Sequence, residues 1–364
     1  MRIVQVQTQA EAAGAQRVSD MVGEGLRARG HEARTVFMYR KTDAYDRDPY
    51  ADFVLSAPPR GLPGQVRATV GLANYLRKTR PDAVITYQHY GNIFGTVGAR
   101  LAGVRHIVAN QSGAPQTRGV MGLLSQIDKL MGAVGLYHAN VVNSAWTEMQ
   151  FGRYPRAYRK RLRRVDHGVP SPDRAFEKAA ARVAFGLPPS VRLVVSSGRL
   201  MPSKNHGALI EALGLLPDIH VALAGVGPEQ EALVALAGKK RVGDRLHLVG
   251  EVPPARIFEF LAAGDVYAFP SITETFGLAC VEAAISGLPV VATDLAVLRE
   301  VLTAEDGEAA ALFVKGDAAG MAKGLAAMIA SPELSARLSA AGRRLRDKYS
   351  PARMCAGYEA LLLS

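Results

Sequence analysis

Two pairs of charged side chains have the types and spacing to do chemistry. Arg199 and Lys204 stand five positions apart in "SSGRLMPSKNHGALIEAL" (196–213), where a strand gives way to a helix. Cations there suit a diphosphate: arginine grips two oxygens and lysine acts as a point charge. The helix N-terminus adds main-chain N–H donors and a favourable dipole. Glu274 and Glu282 stand eight positions apart in "SITETFGLACVEAAISGLPVVATD" (271–294). The first falls in a loop, and the second lies inside the helix expected to start near Phe276. Carboxylates accept hydrogen bonds from hydroxyls, so two at different depths suit two polyols, such as a hexose and a ribose. Gly277 allows close backbone approach to a ligand. The apolar run around Glu282 implies a largely buried helix, where a carboxylate needs partners. Taken alone, the cation pair reads equally as two surface cations, and each glutamate taken singly reads first as ordinary charge, a loop Glu and a helix-surface Glu.

These residues need elements to position them. "RIVQVQ" reads as a buried first strand, followed by a loop with Gly14 and a helix through Val18, Val22 and Leu26. "DAVITY", "RHIVAN" and "HANVVN" are further strands, with helical stretches near 93–102, 119–134 and 145–152. "HGVPSPDRAF" near 170 reads as a linker. A second series follows: "VRLVVSSG", "IHVALAG", "RLHLVG", "DVYAFP", "LPVVAT" and "AALFV". Strands alternating with helices indicate parallel sheets covered on both faces. The expected organisation is α/β: 1–168 as one Rossmann-like domain, 169–345 as a second, and 346–364 as a helix returning to the first. Two doubly wound domains would face a cleft at the carboxyl ends of their strands.

Composition narrows the class. The chain has 364 residues, 48% hydrophobic, enough for two cores. No apolar run suggests a spanning helix. The opening residues read as a strand rather than a signal peptide. Cys280 and Cys355 form no disulfide framework and no metal pattern, which fits a cytoplasmic protein. Residues 1–170 hold 24 Lys+Arg against 12 Asp+Glu, and the rest hold 20 against 21. Seven basic residues crowd "RYPRAYRKRLRR", with Arg153, Arg159, Lys160, Arg161 and Arg163 among them. A solvated helix face, an anionic membrane or acceptor, and nucleic acid all fit such a patch. No nucleic-acid-binding motif accompanies it.

In ordered sequence, these motifs resemble the retaining glycosyltransferases of family 4, with GT-B architecture. "EAAGAQRVSDMVGEGLRARGHEA" resembles the family's N-terminal glycine loop and helix. "VVSSGRLMPSKNHGALIEAL" resembles its phosphate motif and "VALAGVGPEQEAL" its second glycine turn. "LHLVGEVPPARIFEFLAAGDVYAFPSITETFGLACVEAAISGLPVVATD" resembles its E-x7-E block. The resemblance is strongest over 191–300 and weaker over 40–170. It implies that Arg199 and Lys204 bind the donor diphosphate and that Glu274 holds the donor sugar. The amides of Phe276, Gly277 and Leu278 would lie beside sugar and phosphate. Glu282 would hold the ribose, Glu251 and Val252 would face the base, and Gly14 would let its loop approach the diphosphate. Ala13-Gly14 replaces the common pair of glycines. Asn110, Gln111 and Ser112 stand where many members carry a histidine, which leaves His89 in "TYQHYGN" as an acceptor-side candidate. "ETFG" replaces the commoner "EGFG" or "EPFG".

The implied reaction moves a sugar from a UDP- or GDP-sugar to a hydroxyl. The acceptor would be a glycan, a lipid-linked species or a small molecule, in envelope polysaccharide, lipopolysaccharide or glycolipid synthesis. Same-face attack with retention is part of that resemblance. No cofactor and no metal are expected, since cations would stabilise the leaving group. The setting is the cytoplasm, with a peripheral contact on the inner membrane face. Three rivals share the features: a nucleotide-sugar epimerase, a phosphorylase, and a non-catalytic sugar-binding or membrane-docking subunit. Donor turnover without acceptor marks the epimerase. Binding without turnover marks the subunit.

Overall fold

The computed structural model describes residues 1–11, 14–111, 113–115 and 117–364. They form two units, Met1–Gly168 with Pro351–Ser364, and Val169–Ser350. The first unit holds seven strands: β1 (Arg2–Ala10), β2 (Glu32–Arg40), β3 (Ala51–Leu55), β4 (Ala83–Tyr87), β5 (His106–Gln111), β6 (Ala139–Val142) and β7 (Leu162–Arg164). All pair in parallel, in the order β3-β2-β1-β4-β5-β6-β7. The second holds β8 (Arg192–Ser197), β9 (Ile219–Ala224), β10 (Leu246–Gly250), β11 (Val266–Phe269), β12 (Val290–Thr293) and β13 (Leu312–Val314). These too are parallel, in the order β10-β9-β8-β11-β12-β13.

Each order runs outward from its first strand, then jumps back to the other side. The connections leaving β1 and β4, and those leaving β8 and β11, therefore diverge. Ligands of such sheets bind at that switch point, beyond the carboxyl ends of the strands. The central strands are apolar because both faces are covered: β4, β11 and β12 are buried throughout. β2, β3 and β7 are strands that sequence pattern leaves unmarked. β3 is a half-buried edge, and β7 is "LRR", two of whose three residues face solvent.

In the first unit, helix Pro351–Leu363 packs on helix Gly14–Ala28. Cys355 Sγ donates to the Met21 carbonyl, and Glu359 pairs with His31 at 2.8 Å and Arg29 at 3.0 Å. Among the described residues, no helix is long and apolar enough to cross a membrane.

Candidate functional site

The second sheet joins residues seventy positions apart. β8 and β11 are neighbours, so their outgoing connections start side by side. Lys204 Nζ donates to Glu274 Oε1 across 2.6 Å and lies 5.5 Å from the centre of the Phe269 ring. Glu274 is 11% exposed and Lys204 27%. An ammonium has three donors, and Glu274 engages one, so Lys204 can ligate a second anion without releasing the first.

Main-chain ties fix this pair. Ile272 N–H donates to the Ser203 carbonyl. The Asn205 amide nitrogen donates to the carbonyls of Pro270 at 3.3 Å and Gly316 at 2.7 Å. Asn205 has a left-handed backbone, φ 54° and ψ 36°, which asparagine tolerates better than most residues. One amide thus pins three loops. Sequence reasoning passed over Asn205, although an Asn between a Pro-Ser-Lys turn and a helix start was the signal.

The glycine turn after β9 braces the Arg199 loop. Leu200 N–H donates to the Val226 carbonyl. Gly225 has φ 143°, and a Cβ there would fall 2.0 Å from the Gly198 oxygen. Only glycine permits that approach. Arg199 itself is exposed, five residues before Lys204 on the same connection.

Gly277, at φ 86° and ψ 51°, is the N-cap of helix Leu278–Ser286. The helix therefore begins two residues beyond the expected Phe276. Phe276 is buried and meets Tyr349 edge-on, ring centres 5.1 Å apart. The first amides of this helix have no acceptor within it. Glu282, 3% exposed, lies in its middle. It is close enough to Tyr267 that, after burial and Cys280, its charge helps hold that phenol protonated. Tyr267 and Ser197 hydroxyls lie 3.0 Å apart, which puts Glu282 beside the same strand pair. Glu251 and Val252 follow β10 at the sheet edge, two strands from β8, and do not join the Lys204–Glu274 cluster.

The first sheet places Gly14 after β1 and His89 after the neighbouring β4. Ala13 and Ser112 lie outside the described residues. His89 sits in helix Gln88–Tyr90, which runs into a π-helical turn Gly91–Gly95 and helix Thr96–Leu101. Gln88 has φ 65°. A positive φ in glutamine and a π-turn are both costly, and such features concentrate at functional sites. His89 Nδ1 is buried and has no hydrogen-bond partner among the described residues. Burial lowers its pKa, against the charge of Asp128. Asn110 and Gln111 are buried structural amides. Gln111 donates to Asp128, which also accepts from the Tyr137 and Tyr158 hydroxyls at 2.8 Å each.

The basic segment is assembled differently from the helix face expected. Arg153, Arg159, Lys160 and Arg163 are exposed and Arg161 is half-buried, but Arg163 and Arg164 belong to edge strand β7. Tyr158, which stands between the cations in sequence, is fully buried. It stacks on Phe151 and meets Tyr154 edge-on. The segment's aromatics pack into the core, and most of its cations face outward.

Residues 13–198 match the family model of the "Glycosyl transferase 4-like domain", and residues 177–345 that of "Glycosyl transferases group 1". This chain belongs to the family 4 glycosyltransferases. It is similar to the D-inositol 3-phosphate glycosyltransferase of Mycolicibacterium gilvum, 38% identical over 142 residues, 37% of this chain and 31% of that protein. The counterpart in Segniliparus rotundus is 28% identical over 204 residues, 53% of this chain and 43% of that one. The matched stretches thus span less than half of these relatives. Among solved structures, Anabaena HepE in complex with UDP and glucose superposes with a TM-score of 0.85 at 17% identity, covering 100% of both chains. Sucrose-phosphate synthase from Thermosynechococcus elongatus does so at 0.82 and 19% identity, covering 99% and 98%. These likenesses establish the GT-B fold of this glycosyltransferase.

Two buried histidines give this glycosyltransferase an acid-sensitive stability. His206, the first residue of helix His206–Leu213, is 2% exposed. Burial, and then Lys204, push its pKa down to about 4, and burial does the same to His167. Both stay neutral in the folded state while the unfolded chain takes up protons near pH 6.5. Their contribution is therefore complete above about pH 6.5 and is lost as pH falls toward 4, roughly 3 kcal/mol each. Burial raises Asp20 to about 6, which acts in the opposite sense and offsets part of the loss. Urea titrations at pH 7 and pH 4.5 should show a lower midpoint in acid. His206→Gln should flatten that dependence, and an unchanged slope would remove His206 from the account.

Proposed function

We propose that this glycosyltransferase transfers a sugar, with retention, from a nucleoside-diphosphate sugar to a hydroxyl of an envelope glycan or glycolipid precursor. The observation that carries this reading is the Lys204–Glu274 pair at 2.6 Å. It joins a cation that would bind phosphate to a carboxylate that would bind the sugar, at the switch point of one sheet. UDP is the preferred nucleotide and GDP the second, a preference supported by the Anabaena protein solved with UDP and glucose.

Breaking the anomeric carbon–oxygen bond leaves an electron-poor carbon and a diphosphate gaining charge. Arg199, Lys204 and the first amides of helix Leu278–Ser286 would stabilise that charge most when it is greatest. Glu274 would hold hydroxyls of the transferred sugar and Glu282 the ribose. Glu251 and Val252 would line the base and Gly14 the diphosphate. His89, kept neutral by burial, would accept a hydrogen bond on the acceptor side. In retention, the departing phosphate takes the acceptor's proton as that oxygen attacks the same face. No metal has a role in this scheme. The segment 153–164 would face an anionic membrane or acceptor. A soluble inositol phosphate acceptor is the second reading, supported by the names of the curated relatives.

Calorimetric screening of nucleotides and nucleotide sugars tests the donor. UDP and a UDP-sugar should bind, and EDTA should leave that binding unchanged. Failure of both UDP and GDP to bind overturns the reading. UDP release on adding inositol 3-phosphate would select the soluble acceptor.

A further inference from the structure

Helix Gly119–Ala133 is amphipathic the wrong way round. Its buried positions are Gly122, Leu124, Ser125, Asp128, Met131 and Gly132, mostly small or polar. Its outer face carries Val120, Leu123, Ile127 and Leu130, followed by Val134. These recur at spacings of three and four, the period of a helix stripe that normally turns toward a core. Here Val120, Leu123, Leu130 and Val134 are each more than 60% exposed. Two neighbours repeat the pattern. Helix Gly61–Thr79 exposes Leu62, Val66 and Val70, and helix Thr96–Leu101 exposes Val97 and Leu101. The strand order explains the grouping. Right-handed crossovers from β3 to β4, β4 to β5 and β5 to β6 all place their helices on the same face of the sheet. The helices Gly61–Thr79 and Thr96–Leu101 pack together, and the π-turn Gly91–Gly95 touches both Gly61–Thr79 and Gly119–Ala133.

The charge on this face has one sign. Between Asp52 and Glu148 the sequence has only two acids, Asp82 and Asp128. Asp128 is buried. Asp82 accepts from the Arg2 main chain at the start of the sheet, away from these helices' outer faces. Exposed cations remain: Arg67, Arg77 and Lys78 on the first helix and Arg118 just before the third. Helix Arg156–Arg159, inside the basic segment, packs directly against Gly119–Ala133.

We infer that this three-helix face lies on an anionic lipid bilayer. Val120, Leu123 and Leu130 enter the headgroup–acyl boundary, and the flanking arginines and lysines meet the lipid phosphates. Apolar side chains with basic neighbours are the composition of an interfacial helix. Exposed apolar stripes of this kind mark partner surfaces. Pairing with a second copy would oppose like charges, whereas anionic lipid complements them. The inference rests on the reading of 153–164 as an anion-facing segment. It adds insertion, which charge alone does not require.

The test is co-sedimentation with vesicles of phosphatidylglycerol and phosphatidylcholine. Wild type should bind at low salt and keep part of its binding at about 0.5 M salt, where the Debye length falls to roughly 4–5 Å, because the apolar part is not screened. The double variant Leu123→Gln, Leu130→Gln should bind about 100-fold more weakly, about tenfold per leucine, and salt should release it fully. Its nucleotide affinity should equal that of wild type. Leu123→Trp should be quenched by lipids brominated on the acyl chain. Binding that the leucine replacements leave unchanged, or absence of quenching, overturns insertion while the basic-segment reading stands. No binding of wild type to these vesicles overturns both. A wild-type dimer that the double variant dissolves makes the face a subunit interface and overturns the inference.

Discussion

Lys204→Ala and Arg199→Ala should each lower kcat/KM by about two to three orders of magnitude. One donor aimed at developing negative charge is worth about that factor. The two variants should differ in stability. Lys204 is bound to Glu274, a carboxylate only 11% exposed. Removing the lysine leaves that carboxylate without its cation, at a cost of about 1–3 kcal/mol. Arg199 is exposed and forms no ion pair among the described residues, so its removal should leave the Tm near that of wild type. Arg199→Ala is thus the cleaner probe of the leaving group. Lys204→Arg should restore the Tm more than the turnover, because a planar fork cannot take the place of a compact ammonium in this geometry. Near-normal kcat/KM and nucleotide affinity in both alanine variants would remove the phosphate site from this loop.

Much of the fold was legible because it is written in local pattern. β8, β11 and β12 are short apolar runs bounded by Gly, Pro or Asp, and they fold as buried strands. The alternation with helices also indicated parallel sheets, and both sheets are parallel. Less legible elements depend on tertiary context. β2 ends in charged residues, β3 is a half-buried edge, and β7 is mostly arginine. Helix Gly61–Thr79 holds three glycines, a proline and an outward apolar stripe, which blurs its period.

The site follows the same division. The residue types Arg199, Lys204, Glu274 and Glu282 were visible, but the contact between Lys204 and Glu274 was not. It depends on β8 lying next to β11, although β9 and β10 come between them in sequence. The Asn205 pin, the burial of His206 and the burial of Tyr158 likewise arise from neighbours far along the chain. A tyrosine between arginines looks interfacial until its hydroxyl is found on Asp128. The outward stripe on Gly119–Ala133 was not legible for the same reason: periodicity identifies a helix but not which side the protein covers.

The two carboxylates should separate sugar from nucleotide. Glu274 is bound to Lys204 and stands in the loop before helix Leu278–Ser286, while Glu282 is buried inside that helix. If Glu274 holds the transferred sugar, Glu274→Gln should lower kcat/KM by about a hundredfold, the scale of a lost charged hydrogen bond at a reacting group. Bare UDP does not carry that sugar. Its affinity should stay unchanged or rise slightly, because the variant removes the counter-charge that partly neutralises Lys204. Glu282→Gln should behave differently. A ribose contact is present in UDP and UDP-sugar alike, so both should bind about tenfold more weakly, as for a charge-assisted bond exchanged for a neutral one. Calorimetric titration of both variants with both ligands gives four affinities, and Tm values check that each variant is folded. Weaker UDP binding by Glu274→Gln would place that carboxylate on the nucleotide. Equal losses for both ligands in both variants would mean that the carboxylates only hold the loop and helix in place.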